Sequence, residues 1–311
     1  MASLDRDAQL KLLFTALFHD AGKPATTQVD PVTGRTHSLK HALVGTEIGR
    51  RVLRDFGCGL AAREAILALV RYHGRPPYLL EKADPARELI ALSWLVDHRL
   101  LYLFALADTR GRRTGEMARP EENLHLWRMV AEENGCFDRP YAFANDHARF
   151  LFYREALSSL HYAPQEDFRC TVTMLSGLPG SGKDTWLARQ RPGVPVVSLD
   201  DLRATHEVEA TDDQGGIIQL AREGCRRHLR AGQDFAFNAT NTMSQTRRRW
   251  VDLFAEYGAR VEIVYLEPPL PVIRGRNEQR SRPVPSKVIE RLVEKLEPPT
   301  WAEAHTVTLN G

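Results

Sequence analysis

Apolar residues recur at helical spacing through the first half of the chain and in strand-like runs through much of the second. Residues 8 to 162 read as helices with no strand. Leu10, Leu13, Phe14, Leu17 and Phe18 mark the face of a first helix, which reaches His19-Asp20 and stops at Gly22 and Pro24. A second helix, N-capped by Ser38, carries His41 on one face with Val44, Gly45 and Ile48 and ends near Gly57. A third, from Leu60 to Tyr72, presents Ile66, Leu69 and Val70 and leads to His73. A fourth runs from Leu92 to Asp108, where Leu101, Phe104 and Ala105 turn Asp108 inward. Two more helices, over 121–133 and 145–160, complete this half.

A short polar stretch, Ala163-Pro164-Gln165-Glu166-Asp167, reads as a linker. Beyond it strands and helices alternate. Strands are expected at 170–176, 194–199, 234–240, 259–266 and 305–309, and helices at 184–190, 215–230, 246–257, 270–279 and 285–296. Such alternation demands a parallel sheet with helices on both faces. Functional residues then belong at the carboxyl ends of the strands. The expected organisation is an all-α domain over 1–162 followed by an α/β domain over 168–311.

Composition narrows the partners. A chain of 311 residues is long enough for two cores, and a net charge of +2 rules out a polycation. Any nucleic-acid surface must come from local arginine clusters: Arg226-Arg227, Arg247-Arg248-Arg249, and Arg274, Arg276, Arg280 and Arg282. The other reading of these clusters is solvated helix faces. The four cysteines, Cys58, Cys136, Cys170 and Cys225, are scattered without a C-x-x-C pair. That spacing argues against a disulfide framework or a cysteine zinc site and fits a reducing cytoplasm. The first residues do not read as a signal peptide, and no apolar run is long enough for a bilayer, so the expectation is a cytoplasmic protein with no membrane partner.

The strongest single motif is Gly177-Leu178-Pro179-Gly180-Ser181-Gly182-Lys183-Asp184-Thr185, between an apolar strand and a helix start. Strand, glycine-rich loop, lysine and helix form a phosphate cradle. Backbone N–H groups curl around phosphate oxygens, and the helix points its positive end at them. Lys183 adds a mobile charge for the β- and γ-phosphates. Asp184 stands where Ser or Thr usually holds Mg²⁺. Either Asp184 meets the metal or Thr185 substitutes; an acid there also suits a helix N-terminus.

Other candidates follow the later strands. Asp200, Asp201 and Arg203 come directly after the second strand. A carboxylate there can take the proton of an attacking hydroxyl, and the arginine can grip a phosphate. Asn238-Ala239-Thr240-Asn241 ends the third strand and can orient an acceptor or make the turn. The segment from Arg276 through Arg280 to Arg282, stopped by Pro283 and Pro285, suits a lid closing on a transferring phosphoryl group. In the first half, four helices each deliver His or Asp to an apolar face. One such histidine is ordinary core. A buried aspartate needs a partner, and the order HD…H…H…D is the pattern of a metal site. Imidazole with carboxylate suits Mn, Fe, Co, Ni, Zn or Mg.

Phe18-His19-Asp20-Ala21-Gly22-Lys23-Pro24, with Thr36-His37-Ser38-Leu39-Lys40-His41 beyond it, resembles the HD phosphohydrolase superfamily, especially the HD domain of bacterial CCA-adding enzymes. The resemblance implies His19, Asp20 and Asp108 at one metal, and His41 and His73 at a second metal or at the phosphate. Lys23 would contact a phosphate oxygen. The implied chemistry is attack of a metal-activated water on a phosphoester. The superfamily usually has a further histidine upstream of HD; residues 1–18 contain none.

The second half, over 168–300, resembles the 5′-hydroxyl polynucleotide kinases of RNA repair. The likeness lies in the loop at 177–186, in Asp200 and Arg203, in Asn238 to Asn241, and in Arg276 and Arg280 before Val284-Pro285. It implies Asp200 as general base, Arg203 on the acceptor's phosphate, and Arg276 and Arg280 on the donor phosphates. Related kinases often have Asp where Asn238 stands. Together the halves resemble the bacterial HD–polynucleotide kinase end-healing enzymes. That implies phosphorylation of RNA or DNA 5′-OH ends from ATP or another NTP with Mg²⁺. It also implies removal of 2′-, 3′- or 2′,3′-cyclic phosphate with a divalent transition metal, and a ligase acting downstream. Two other readings are a small-metabolite kinase fused to a nucleotide phosphohydrolase, and an ATP-switched binding module on an inert HD scaffold.

Overall fold

The structure is a computed structural model describing residues 4–79, 81–111, 118–209, 212–280 and 283–311. Arg282 lies outside the described residues. The chain divides into two compact units, Met1–Ala142 and Phe143–Gly311.

The first unit is helical: α1 (Arg6–Phe18), α2 (Lys23–Thr26), α3 (His41–Asp55), α4 (Leu60–Tyr72), α5 (Pro76–Leu79), α6 (Pro85–Ser93), α7 (His98–Gly111) and α8 (Ala118–Glu133). Three features differ from the expected helices. A small antiparallel hairpin, β1 (Thr27–Val29) with β2 (Thr36–Ser38), stands where only loop was expected. It is short and largely exposed, so it carries little apolar alternation. The helix expected over 92–108 is broken at Trp94–Asp97, because Leu95 and Val96 disguise a turn as helix. Third, α3 starts from Lys40 in a left-handed conformation with no side-chain cap, so Ser38 is no N-cap.

On α1, Leu10, Leu13 and Leu17 are exposed, while Ala8, Thr15 and Phe18 are buried. That helix is apolar around much of its circumference, and periodicity alone does not choose its inner face. Two cores result. One gathers Leu89, Leu101, Leu124 and Trp127, the other Phe18, Leu53, Ile66, Leu67 and Val70.

The second unit begins with α9 (Asp146–Tyr153), which ends seven residues before the expected 160, and continues beyond the polar stretch 163–167. Then come β3 (Cys170–Ser176), α10 (Lys183–Gln190), β4 (Val196–Ser198), α11 (Leu199–Thr205), α12 (Gly215–Ala231), β5 (Phe235–Asn238), α13 (Ser244–Glu256), β6 (Ala259–Leu266), α14 (Leu270–Glu278), α15 (Ser286–Glu294) and β7 (Thr306–Asn310). Among the described residues the sheet is five-stranded and parallel, in the order β4-β5-β3-β6-β7. Nearly every residue of β3 and β5 is buried, as expected of strands covered on both faces. Phe235, Phe237, Trp250 and Phe254 fill the space between sheet and α13. The chain passes from β3 out to β4 and back, then crosses β3 to β6. That reversal opens a crevice at the carboxyl ends of the central strands.

Candidate functional sites

In the first unit the HD turn is pressed onto α3. A Cβ at Gly22 would lie 2.1 Å from the His41 carbonyl oxygen and 2.7 Å from the Gly45 nitrogen, so only glycine permits the approach. The contact carries Asp20 to the start of α3. His73 arrives as the C-cap of α4, and Asp108 sits near the end of α7.

The five expected residues converge. His19 Nε2 is 3.3 Å from Asp20 Oδ2 and 3.9 Å from Asp108 Oδ1, and His41 Nε2 is 3.9 Å from Asp20 Oδ1. His41 Nε2 and His73 Nε2 are 3.4 Å apart. Among the described residues, the group with metal-ligand spacing is Asp20, His41 and His73, their donor atoms within 4.8 Å of one another. The resemblance implies His19, Asp20 and Asp108 at one ion; the geometry keeps His19 near both carboxylates. Asp20 joins the two later histidines, and His19 bridges toward Asp108.

The residues fit a divalent ion. Nδ1 of His19, His41 and His73 lies 2.8–2.9 Å from a backbone carbonyl three residues back: Ala16, Ser38 and Val70 respectively. A carbonyl only accepts, so each Nδ1 carries the proton, and the lone pair is left on Nε2, facing the cluster. This is the arrangement that orients metal-binding imidazoles. Burial pushes His73 below the usual imidazole range, aided by His19 and His41, so the ring is neutral and able to ligate. Burial raises Asp20, but the Lys23 ammonium and the nearby histidines overcome it and hold the carboxyl below its ordinary value. Lys23, expected at a phosphate oxygen, donates to Asp20 Oδ2 at 2.7 Å. His37 lies on β2, paired in register with Gln28.

In the second unit the P-loop joins β3 to α10. Gly180 and Gly182 take left-handed φ values of 82° and 95°. A Cβ at Gly180 would come 2.6 Å from the Ile273 carbonyl oxygen, and one at Gly182 would come 3.2 Å from the Arg276 guanidinium. The loop is thus seated against α14, which brings Arg276 to its rim. Lys183 Nζ donates to the Gly177 and Leu178 carbonyls at 2.9 and 3.0 Å, folded back on its own loop. Burial pushes its ammonium down to about 8, against the pull of Asp200 and Asp184. Ser181 is buried and Thr185 exposed.

Asp200 lies in the first turn of α11, just past the end of β4. Its carboxylate accepts from Arg203 at 2.6 Å and from Arg280 at 3.2 Å, and Arg203 also donates to Gln214 at 2.7 Å. The expected acid, acceptor arginine and lid arginine therefore meet, and Asp200 and Arg280 lie close enough to Lys183 to act on its charge. Asn238, at the end of β5, donates to Asp184 at 2.6 Å. Asn241, expected at the acceptor, turns inward instead. It is 3% exposed, and its amide donates to the Leu175 carbonyl at 2.8 Å, tying the loop after β5 to the strand that feeds the P-loop.

Sequence reasoning missed Arg247, which it grouped with two solvent-facing arginines. Arg247 is fully buried. It donates to both oxygens of Glu303 at 2.6 and 3.0 Å, and to the carbonyls of Asn241 and Glu297 at 3.0 and 2.7 Å. The missed signal was its place one helical turn before Val251 and two before Phe254, on the apolar face of α13.

Comparison with known proteins agrees with this division. The HD-domain family matches residues 2–96, and the AAA-domain family matches residues 172–299. The chain thus carries a helical N-terminal HD domain and a P-loop kinase-like α/β domain. Asp108 lies beyond the matched HD residues and reaches the cluster through the fold. The CC-adding tRNA nucleotidyltransferase of Thermus thermophilus is 43% identical over 67 residues, 22% of this chain and 15% of that protein. A P-loop kinase-like domain implies an NTP with Mg²⁺, and HD domains bind divalent metals. Among the described residues no single helix is long and apolar enough to cross a membrane.

Proposed function

We propose that the protein is a bifunctional nucleic-acid end-healing enzyme, with RNA its substrate. The second unit phosphorylates 5′-OH ends from an NTP, and the first removes 2′-, 3′- or 2′,3′-cyclic phosphates. The observation that carries this reading is the meeting of Arg203 and Arg280 on Asp200, within electrostatic reach of Lys183. A carboxylate between two guanidiniums at a P-loop suits an acceptor hydroxyl adjoining a phosphate, the chemistry of a polynucleotide end. A small neutral acceptor would have no use for Arg203.

Asp200 takes the proton of the attacking 5′-hydroxyl, and Arg203 exchanges its bond to Asp200 for one to the acceptor's phosphate. Lys183 leaves its loop carbonyls for the donor's β- and γ-phosphates. Arg276 and Arg280 neutralise charge on the transferring group. In the first unit Asp20, His41 and His73, with His19 and Asp108, would hold the divalent ion, which when bound polarises a phosphoester and lowers the pKa of a water. Lys23 moves from Asp20 to a phosphate oxygen. The similarity to a protein that acts on tRNA supports an RNA substrate. Ends healed in this way suit a ligase, the expected downstream partner. The test is transfer of the γ-phosphate of ATP to a 5′-OH oligonucleotide. ATP consumption with small acceptors only, and no labelled oligonucleotide, would defeat the reading.

A further inference from the structure

In the usual P-loop site a Ser or Thr hydroxyl follows the lysine and an aspartate stands at a neighbouring strand end, and both serve Mg²⁺. Here the carboxylate and the uncharged group have changed places. Position 184, after the lysine, is aspartate, and position 238, ending β5, is asparagine. The two side chains touch: Asn238 Nδ2 donates to Asp184 Oδ1 at 2.6 Å across 54 residues of sequence.

A helix-capping role explains an acid at 184 but leaves two facts unexplained. Asn238 is only 7% exposed, and among the described residues its buried Oδ1 has no hydrogen-bond partner; the buried Ser181 hydroxyl of the same loop has none either. Buried polar atoms left unpaired are costly, and at a binding site the missing partner is a ligand or its water shell. Asp184 also shares the helix N-terminus with the phosphates the loop is built to hold. A bare carboxylate repels a polyphosphate, and a divalent cation between them converts repulsion into a bridge. Asp184 is solvent-exposed, so an ion can reach it.

We infer that Asp184 is the protein's own ligand for the nucleotide-bound Mg²⁺, oriented by Asn238, the metal-binding carboxylate having moved from the strand end onto the P-loop. Asn238 Oδ1 accepts from water on that ion. The inference rests on the P-loop binding a nucleotide, and it makes affinity unusually dependent on metal.

The test measures ATP binding to the full-length protein by calorimetry, in chelator and in saturating Mg²⁺, with Mn²⁺·ADP occupancy followed by electron paramagnetic resonance. Wild type should gain about tenfold or more in affinity with metal. Asp184→Asn keeps an acceptor for Asn238. It should bind metal-free ATP more tightly than wild type and lose most of the metal gain and the Mn²⁺ signal. The double variant Asp184→Thr with Asn238→Asp restores the usual arrangement and should recover the gain. If Asp184→Asn keeps the full metal gain, or wild type has none while still binding ATP, the inference is overturned. If wild type binds no ATP in either condition, the nucleotide reading beneath it falls. Should Asp184→Asn not fold, the double variant decides alone, and failure to bind metal-dependently counts against the exchange.

Discussion

The guanidinium of Arg280 lies 3.2 Å from the carboxylate of Asp200, so a residue just past α14 meets one in the first turn of α11. The arginine proposed for the lid and the acid proposed for the acceptor site thus belong to one polar cluster. Asp200→Ala should lower 5′-kinase turnover by about 10²- to 10⁴-fold, the range for losing a general base. Nucleotide affinity should change little, and phosphatase activity should be unaffected. Steady-state kinetics on a 5′-OH oligonucleotide and a 3′-phosphate oligonucleotide check both halves. Loss of both activities from the single change would indicate a composite site.

The converse holds for the HD cluster. Asp20→Ala and His73→Ala each remove a member of the closest ligand group, so each should abolish phosphatase activity and lower divalent-metal affinity by about 100-fold or more, beyond the effect of losing an outer-shell partner. Kinase activity should be retained. Metal titration followed by elemental analysis of the purified variants measures the effect. Unchanged metal content in both variants would contradict the grouping.

Much of this was legible in the sequence. β3 and β6 occupy the expected residues: β3 is a nearly continuous buried run, and β6 alternates Arg260 and Glu262 with buried Val261 and Ile263 before the apolar run Ile263–Leu266. The phosphate loop was legible because three glycines and a lysine have fixed spacing. What escaped depends on contacts distant in sequence. The order HD…H…H…D pointed to Asp20, His41 and His73 together, but the close backbone approach at Gly22 that brings them together is not recorded in spacing along the chain. The burial of Arg247 depends on Glu303, 56 residues away. The turn at Trp94–Asp97 escaped because it contains neither Gly nor Pro.

Arg247 supplies a stability prediction. Removing one partner of a buried ion pair leaves the other charge uncompensated, at a cost of roughly 3–5 kcal/mol. Arg247→Ala should destabilise the second unit by about that much, and it should also loosen the Asn241 loop that adjoins the P-loop. Urea unfolding monitored by Trp fluorescence measures this. A change under about 1 kcal/mol would mean that Glu303 finds another partner or solvent.

Acid should weaken both units. Burial pushes His98 down to about 4, and burial with His147 and three arginines pushes His305 down to about 3. Each ring is neutral when folded and accepts a proton near pH 6.5 when unfolded. The unfolded state therefore binds more protons below pH 6.5, and stability falls as pH drops through 6.5 toward 4 for His98 and toward 3 for His305. The loss is on the order of 3 kcal/mol for His98. Urea midpoints measured from pH 7.5 to 4.5 should decline, and His98→Leu should flatten the decline in the first unit. An unchanged slope in that variant would rule out His98 as a source.

The most direct measurement is transfer of ³²P from γ-labelled ATP to a 5′-OH RNA oligonucleotide by the full-length protein, beside Lys183→Ala and Asp200→Ala. The account predicts Mg²⁺-dependent labelling by wild type and little or none by either variant. Wild-type protein that binds and hydrolyses ATP, yet labels neither RNA nor DNA ends, would contradict it.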